Sequence, residues 1–583
     1  MKIFLLSLLF GSAVDLAYML NAQTIYKEDW ANSGLKNQVG DSGMIANIIY
    51  YGADSTGNLY SDEAIVKIFK EFEGIPVVIF FPGGRYLFKS TISLNRSRCI
   101  LRGSGAENTR LIFDLSGSSR HCIQLLGKSI DKDSSTVDAS LWRKENYLKI
   151  ISPRLFKKDD WIKIGFDDSL YMFSSWAYGS LAEIMQIESI VADRAYIKAN
   201  PRFRFDGIKQ LRISRMEPVK FCGIECLSIE RKDATTSQTS NIDMNYVVDS
   251  WVKGVESKQC NFAHIAMSNC AHTEIKGNYL HHAFGYGGGG MGYGIALQFS
   301  SSQCRVEDNI FEHLRHPLLL QAGSNGNVIS FNFMTDPYWT GEITPTNSAG
   351  DIVLHGNFPF ANLFESNINQ NVVIDNSHGF NGPYNTFFRN RTELYGFVVS
   401  SPVCIDSLNI IMNDVTNQTY GFYLLQGNGH YQSANRIKNV LTPSGTVPWK
   451  EASLYLDNDR LECIDHNELW PVIGNPRPYD SGIIPALQRF SQKKYTVCSC
   501  KELTSDATSD QKDFIVVYPN PVKDCVFIKS KEIIKHLELL DITGKPLIRT
   551  SDNFIDLNKV STGTYFVKII CSTKTGVSKI QKI

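Results

Sequence analysis

The chain has 583 residues, enough for one large domain with small appendages. Its 59 basic and 59 acidic side chains cancel, which leaves no charge imbalance to draw it to nucleic acid or a membrane surface. Forty-three glycines and a hydrophobic content of 43% favour turn-rich β structure around a real core over a helical bundle.

The N-terminus, MKIFLLSLLFGSAVDLAYMLNAQ, reads as a cleavable export signal over residues 1–22. Lys2 precedes an apolar run, and Leu20-Asn21-Ala22 ends it in the small residues a signal peptidase needs. Asp15 interrupts the run and argues against a spanning helix, so no transmembrane segment is expected. The mature protein is expected outside the cytoplasm, with residues 23–474 as its main domain.

That domain opens with YGADSTGNLYSDEAI, VVIFFPGGRYLFKSTISL and ILRGSGAENTRLIF. Ser61 or Asp62 is placed to cap a helix from Ala64 to Phe72. Gly83-Gly84 supplies a tight turn, and Gly103 and Gly105 permit positive φ. Together the three stretches strongly resemble the start of pectate-lyase-like β-helix proteins. In that family a G-A-D-x-T-G loop precedes a short capping helix, a strand pair around F-P-G-G-x-Y and a coil containing G-x-G. The likeness runs from about residue 45 to 440, and the first coils match it specifically. It implies an all-β fold, a right-handed parallel β-helix with a long groove along its strands. Residues 145–215 look like an inserted patch of hairpins, with a turn at Asp206-Gly207.

The middle of the chain repeats an apolar strand centred on asparagine, at Asn278, Asn309, Asn332, Asn367, Asn390 and Asn413. The intervals are 31, 23, 35, 23 and 23 residues, the mark of a solenoid whose coils stack. Inward amides at one phase suit hydrogen bonding to the turn of the next coil. The two long intervals hold HHAFGYGGGGMGYG (281–294) and PYWTGEITPTNS (337–348). Both extra stretches leave the same turn of neighbouring coils, so they are expected to rise from one flank and build a binding face. Gly285, Gly287 and Gly290 spell a dinucleotide fingerprint, but Gly292 and Gly294 stand where its helix has to begin.

The asparagine ruler also places polar groups. Four residues after Asn278, Asn309 and Asn332 lie His282, His313 and Asp336, expected in one column about 4.8 Å apart. His316, beside Arg315, follows Asn309 by seven. A second cluster gathers Asp351, His355, Glu365, Asp375, His378, Tyr384, Arg389 and Arg391, although Arg391 also stands ready to pair with Glu393 or Glu365 on a solvated face. The expected catalytic set is His316, His378, Arg315, Arg389, Asp336, Asp351, Glu365 and Asp375. The expected substrate-binding set is His282, Tyr286, Tyr293, His313, Trp339, His355, Tyr384 and Arg391.

From residue 475 to 512 strand periodicity is lost, and the chain reads as a connector. Residues 513–583 then give short strands separated by turns at Pro519-Asn520-Pro521 and Thr543-Gly544, a small antiparallel β-sandwich. VYPNPV, LLDITGKPL, STGTYFVKI and SKIQKI resemble the C-terminal sorting domain of type IX secretion substrates in gram-negative bacteria. The resemblance implies passage through the periplasm, that secretion machinery as partner, and a secreted or surface location. Thirteen scattered cysteines without C-x-x-C spacing argue against a zinc site and read mostly as small core residues.

Pectate-lyase-like proteins mainly handle polysaccharides, so the resemblance implies a polysaccharide substrate. Three activities stay open: a lyase acting on an acidic polymer by β-elimination, a glycoside hydrolase using paired carboxylates, and a non-catalytic glycan binder. Elimination needs a cation on the uronate carboxylate, a base for the C5 proton and an acid for the leaving oxygen. Hydrolysis needs two carboxylates about 5 to 9.5 Å apart. Ser377-His378-Gly379 and Arg436-Ile437-Lys438 resemble polygalacturonase motifs, but the N-T-D and D-D elements are missing. The W-x-D-H and R-x-P-x-x-R patterns of calcium pectate lyases are missing too, and Arg315-His316-Pro317 is only superficially similar. No cofactor is required by the sequence; calcium is left open, and no metal ligands are assigned.

Overall fold

The computed structural model describes residues 28–36, 44–137, 146–205, 208, 210–341, 349–456, 461, 464, 467–476 and 482–497, then 515–518, 522–530, 533–541, 545–571 and 575–582. The export signal, the Asp206-Gly207 turn, residues 342–348 of the second insertion and the two turns expected near Pro519 and Thr543 lie outside the described residues. The chain divides into two compact units, Met1–Cys500 and Lys501–Ile583.

In the first unit each coil contributes three short strands to three parallel ladders. The first ladder has twelve strands among the described residues and runs through Glu274–Lys276, Arg305–Glu307, Val328–Ser330 and Leu363–Glu365. The second stacks Tyr279–Ala283, Ile310–Glu312 and Phe333–Thr335 in register, with Tyr279 on Ile310 and Ile310 on Phe333. The third stacks Tyr293–Gln298, His316–Leu320 and Ile352–Leu354. Inward apolar residues from all three ladders, such as Val306, Phe311 and Leu318, fill one continuous core. This is the parallel β-helix expected from the sequence.

The corner between the first and second ladders explains the asparagine repeat. The residue before each asparagine is left-handed: Gly277, Asp308, Phe331, Ser366, Arg389 and Met412 all have φ between 54° and 64°. That turn leaves backbone groups facing inward, and the asparagine satisfies them. Asn309 Oδ1 accepts the amide and side-chain N–H of Asn278 at 3.0 and 2.8 Å, while its own Nδ2 donates to the Ile275 carbonyl at 2.9 Å. The pattern continues through Asn332, Asn367, Asn390 and Asn413 to Asn435, all fully buried. A second ladder, Asn327–Asn362–Asn385, holds the corner that enters the first sheet.

Helix Asp62–Glu71 closes the N-terminal end of the core with Ala64, Ile65 and Ile68. Ser61 occupies its N-cap without a side-chain capping bond, because the Ser61 hydroxyl instead accepts the Asp54 amide; Asp62 accepts from Lys89 and Ser90. Of the two turn glycines only Gly105 has positive φ. Gly103 is needed for a different reason, since a Cβ there would lie 2.3 Å from the Cys226 carbonyl oxygen.

Among the described residues the hairpin insertion forms a six-stranded antiparallel sheet and is longer than expected. Lys128–Thr136 pairs with Arg212–Glu217, and polar KSIDKDSST gives no apolar alternation to reveal it. Its core packs onto Ala322, Phe358, Phe360 and Ala361 at the turns after the third ladder. On the opposite side, Tyr455, Val472, Ile473 and Ile484 cover Phe331, Leu363 and Phe388 on the outer face of the first sheet. Residues 482–497, inside the span read as connector, belong to this strap and include helix Pro485–Ser491. Among its described residues the second unit has antiparallel sheets of three and four strands around Val526, Leu537, Val567 and Ile580. Cys99, Cys122, Cys222, Cys260, Cys270, Cys304 and Cys404 are buried free thiols.

Asn332→Ala strips both donors of Asn309 and the Val306 carbonyl of their partner. Orphaned buried groups cost about 1–3 kcal/mol each, so a loss of about 3 kcal/mol or more is expected in urea denaturation. An unchanged midpoint would show that the ladder is not a source of stability.

Candidate active site

The asparagine ruler places its first column as expected. His282, His313 and Asp336 occupy equivalent positions of successive coils, each with φ between 52° and 58°. The His282 and His313 rings stack at 5.0 Å, and His313 Nδ1–H donates to Asp336 at 2.7 Å. His282 Nδ1 also meets His281 Nδ1 at 2.9 Å.

The Gly-rich run and the start of the second insertion pack on each other and form one wall. Tyr286 meets Tyr338 edge-on at 4.8 Å, and Tyr338 stacks on His313 at 4.4 Å. Arg315 ties the wall from the floor: its Nη1 donates to the Gly287 carbonyl at 2.6 Å, and its guanidinium lies 4.1 Å from the Trp339 ring. The run is therefore not a loose spacer. Gly292 has φ +73° and sits against Gly285, and a Cβ on Gly294 would lie 2.3 Å from the Pro317 carbonyl oxygen.

Below this wall the third ladder and its outgoing turn bring four titratable side chains together. His316 is buried, with its ring 5.1 Å from Tyr293 and 6.1 Å from His355. Its Nδ1 lies 3.1 Å from the Gly350 carbonyl, which can only accept, so Nδ1 carries the proton and Nε2 the lone pair. Burial, then the neighbouring Arg315 and His355, lowers its pKa to about 3 and keeps the ring neutral. His355 Nδ1–H donates to Asp375 at 2.8 Å, leaving the lone pair on Nε2. Burial resists ionisation of Asp375, but hydrogen bonds from His355 and Ser377 outweigh it and hold the carboxyl below its usual range. His378 meets His355 edge-on at 4.9 Å, and burial lowers its pKa. Arg315 is mostly buried, and its Nε has no hydrogen-bond partner. Burial raises the pKa of Tyr293 and keeps its phenol protonated.

The other expected residues go elsewhere. Glu365 is fully buried beneath the strap, where it accepts the Leu454 amide, and burial raises its pKa to about 7. Arg389 is the left-handed corner residue before Asn390, and it donates to the Asn475 and Glu451 carbonyls. Arg391 pairs with Glu393 as expected, but it also bonds the Gly482 carbonyl of the strap and is largely covered, so the pair does not lie on a solvated face. Asp351 is fully buried and accepts the Gln370 amide; burial lifts its pKa to about 7. Tyr384 packs against the core of the hairpin sheet. Arg436 is paired with Asp414 within the second ladder. The eight residues of the second cluster thus do not converge: His355, Asp375 and His378 do, and Glu365, Arg389 and Arg391 face the strap.

Sequence reasoning missed the contribution of the inserted sheet. Ser174 Oγ lies 3.1 Å from His378 Nδ1, and Trp176 meets the His378 ring edge-on at 5.3 Å. Both stand about 200 positions from His378, outside any repeat interval. Among the described residues no three His, Cys, Asp or Glu side chains converge to hold a metal.

Residues 516–582 match the family of secretion system C-terminal sorting domains. That match marks the chain for type IX secretion to the cell surface or exterior, and among the described residues no helix is long and apolar enough to cross a membrane. No curated protein matches the sequence. Among solved structures, the tailspike protein gp49 from Pseudomonas phage LKA1 aligns with a TM-score of 0.50 at 14% identity, covering 63% of this chain and 64% of the tailspike. Geobacillus virus E2 ORF18 aligns with a TM-score of 0.39 at 11% identity over 67% of this chain and 60% of its own. The Pseudomonas phage phi297 tailspike gp61 gives 0.38 at 14% identity over 70% and 82%. The alignment to gp49 establishes the parallel β-helix fold. The chain spans less than two thirds of the first two structures.

If the glycine run is a packed wall, its glycines differ in tolerance. A Cβ on Gly288 would meet nothing within 4 Å, so Gly288→Ala is expected to leave thermal stability unchanged. Gly294→Ala is expected to lower Tm by several degrees, because the obstruction is backbone. Equal behaviour of the two in a thermal melt would return the run to a plain spacer.

Proposed function

We propose that the protein is a secreted polysaccharide-degrading enzyme that cleaves an acidic, uronate-containing polymer by β-elimination. The observation that carries this reading is the His355–Asp375 pair, linked through the His316 and Tyr293 rings to a buried arginine with an unpartnered Nε. The family resemblance of the first coils supports a polysaccharide in the groove. The export address supports a substrate outside the cell.

The chemistry divides among neighbouring residues of this chain of rings. Arg315 neutralises the C6 carboxylate and so acidifies the C5 proton. His355 Nε2 takes that proton, while Asp375 stays ionised and stabilises the imidazolium. The C5 electron pair forms the C4–C5 double bond as the C4–oxygen bond breaks. Tyr293, held protonated by burial, gives the leaving oxygen its proton. His316, neutral and fixed by Gly350, orients substrate hydroxyls through its Nε2 lone pair.

Hydrolysis finds less support. Of the four candidate carboxylates for it, only Asp375 joins the cluster, and it is already engaged with His355. Glu365 and Asp351 are fully buried, and Asp336 is bound to His313 in a separate group.

Incubation with pectin, alginate and glycosaminoglycans is expected to give unsaturated ends absorbing in the ultraviolet. His355→Ala and Arg315→Ala are expected to lower kcat/KM by about 100-fold or more, the scale of lost acid–base or electrostatic assistance. New reducing ends without ultraviolet absorbance would replace elimination with hydrolysis. Retention of full activity by His355→Ala would remove the assigned base.

A further inference from the structure

The hairpin sheet carries an apolar loop that none of this chemistry uses. Residues 169–179, SLYMFSSWAYG, contain no charged side chain. Phe173 is 69% exposed and Trp176 45%, although the loop that holds them is tightly fixed. Asp168 braces it, with Oδ1 accepting the Gly179 amide and Oδ2 the Leu181 amide, both at 2.8 Å. Asn357 Oδ1 accepts the Phe173 and Ser174 amides and so pins the loop to the solenoid. Gly379, at φ +77°, lets Phe173 approach: a Cβ there would lie 2.5 Å from Phe173 Cβ. Large apolar side chains are usually buried, and exposed ones held on a rigid support mark a surface that something covers.

Position says what covers it. Trp176 meets His378, and His378 meets His355, so the loop lies two ring contacts from the proposed base. We propose that Phe173 and Trp176 form a stacking platform for a neutral sugar unit adjoining the uronate held at Arg315. The occupant rests on the polysaccharide reading above. A sugar ring offers an apolar C–H face that an aromatic surface desolvates, and a loop without charge offers a carboxylate no counter-ion. The protein therefore prefers a polymer that alternates acidic and neutral units over a homopolyuronate. The substrate class is a heteropolysaccharide, and the inserted sheet supplies the selectivity.

The test uses the full chain and the variants Trp176→Ala, Phe173→Ala and Trp176→Phe. Probes are two alternating polymers, rhamnogalacturonan and hyaluronan, and two homopolyuronates, polygalacturonate and alginate. On an alternating polymer Trp176→Ala is expected to raise KM about tenfold with kcat within about twofold, and Trp176→Phe to restore most of it. Little change is expected on a homopolyuronate. Unchanged KM in both alanine variants, on an alternating polymer the wild type cleaves, overturns the platform and leaves the elimination reading intact. A wild type that prefers homopolyuronates also overturns it. If the wild type cleaves none of the four, affinity electrophoresis in gels containing each polymer decides. Retardation of the wild type by an alternating polymer, lost in the alanine variants, upholds the platform while the enzymatic reading falls. No retardation by any of them overturns the platform.

Discussion

The structure depends on a column of buried asparagines. A solenoid corner needs a sharp turn in every coil, and here a left-handed residue makes it, at a cost of about 1 kcal/mol or more where that residue is not glycine. The turn would leave inward amides and carbonyls unpaired in an apolar core, which is more costly still. Each asparagine side chain satisfies an amide and a carbonyl of the preceding coil and donates to the asparagine of the next, so the bonds that offset the strained corner also lock the register between coils. Register then fixes everything on the outer surface. His282 stands over His313, and Tyr293 over His316, because the asparagines beneath them are in line.

This constraint explains what the sequence disclosed and where it stopped. The 23-residue interval makes the coil visible, and counting four residues from each asparagine locates the His282–His313–Asp336 column. The two long intervals locate the wall. The same ruler carries more than the column. Arg389 lies one residue before Asn390, the left-handed corner position, and Glu365 two before Asn367. Both offsets point away from the column at plus four. Asn327, Asn362 and Asn385 repeat at 35 and 23 as well, and mark the second corner. What counting cannot supply is an encounter between distant parts. Ser174 and Trp176 reach His378 from a separate sheet, and the strap reaches Glu365 from residue 454.

Burial explains why several members of a dense set of titratable groups are held neutral. His316, Asp351 and Glu365 are all pushed toward neutrality by desolvation, in opposite directions on the pH scale. A neutral buried carboxyl beneath the strap is a structural hydrogen-bonding group. A neutral buried imidazole in the cluster is an acceptor fixed in one tautomer. Asp375 differs because His355 and Ser377 donate to it, so its charge survives burial. The same burial that silences most of the candidates gives the His355–Asp375 pair its setting.

The inserted sheet adds a second flank to the surface along the third ladder. A bare parallel β-helix offers a shallow groove on each flank, and nothing in its repeat chooses among them. Here the glycine run and Trp339 raise one wall, held by Arg315, and the Asp168-braced loop raises the other, held by Asn357. The floor between them is the third ladder, where outward positions carry His316 and His355. Arg315 therefore has two duties: its Nη1 is spent on the wall, while its Nε lacks a protein partner. In the proposed elimination the substrate carboxylate completes the arginine's hydrogen bonding beside His355, which would couple substrate recognition to the integrity of the wall.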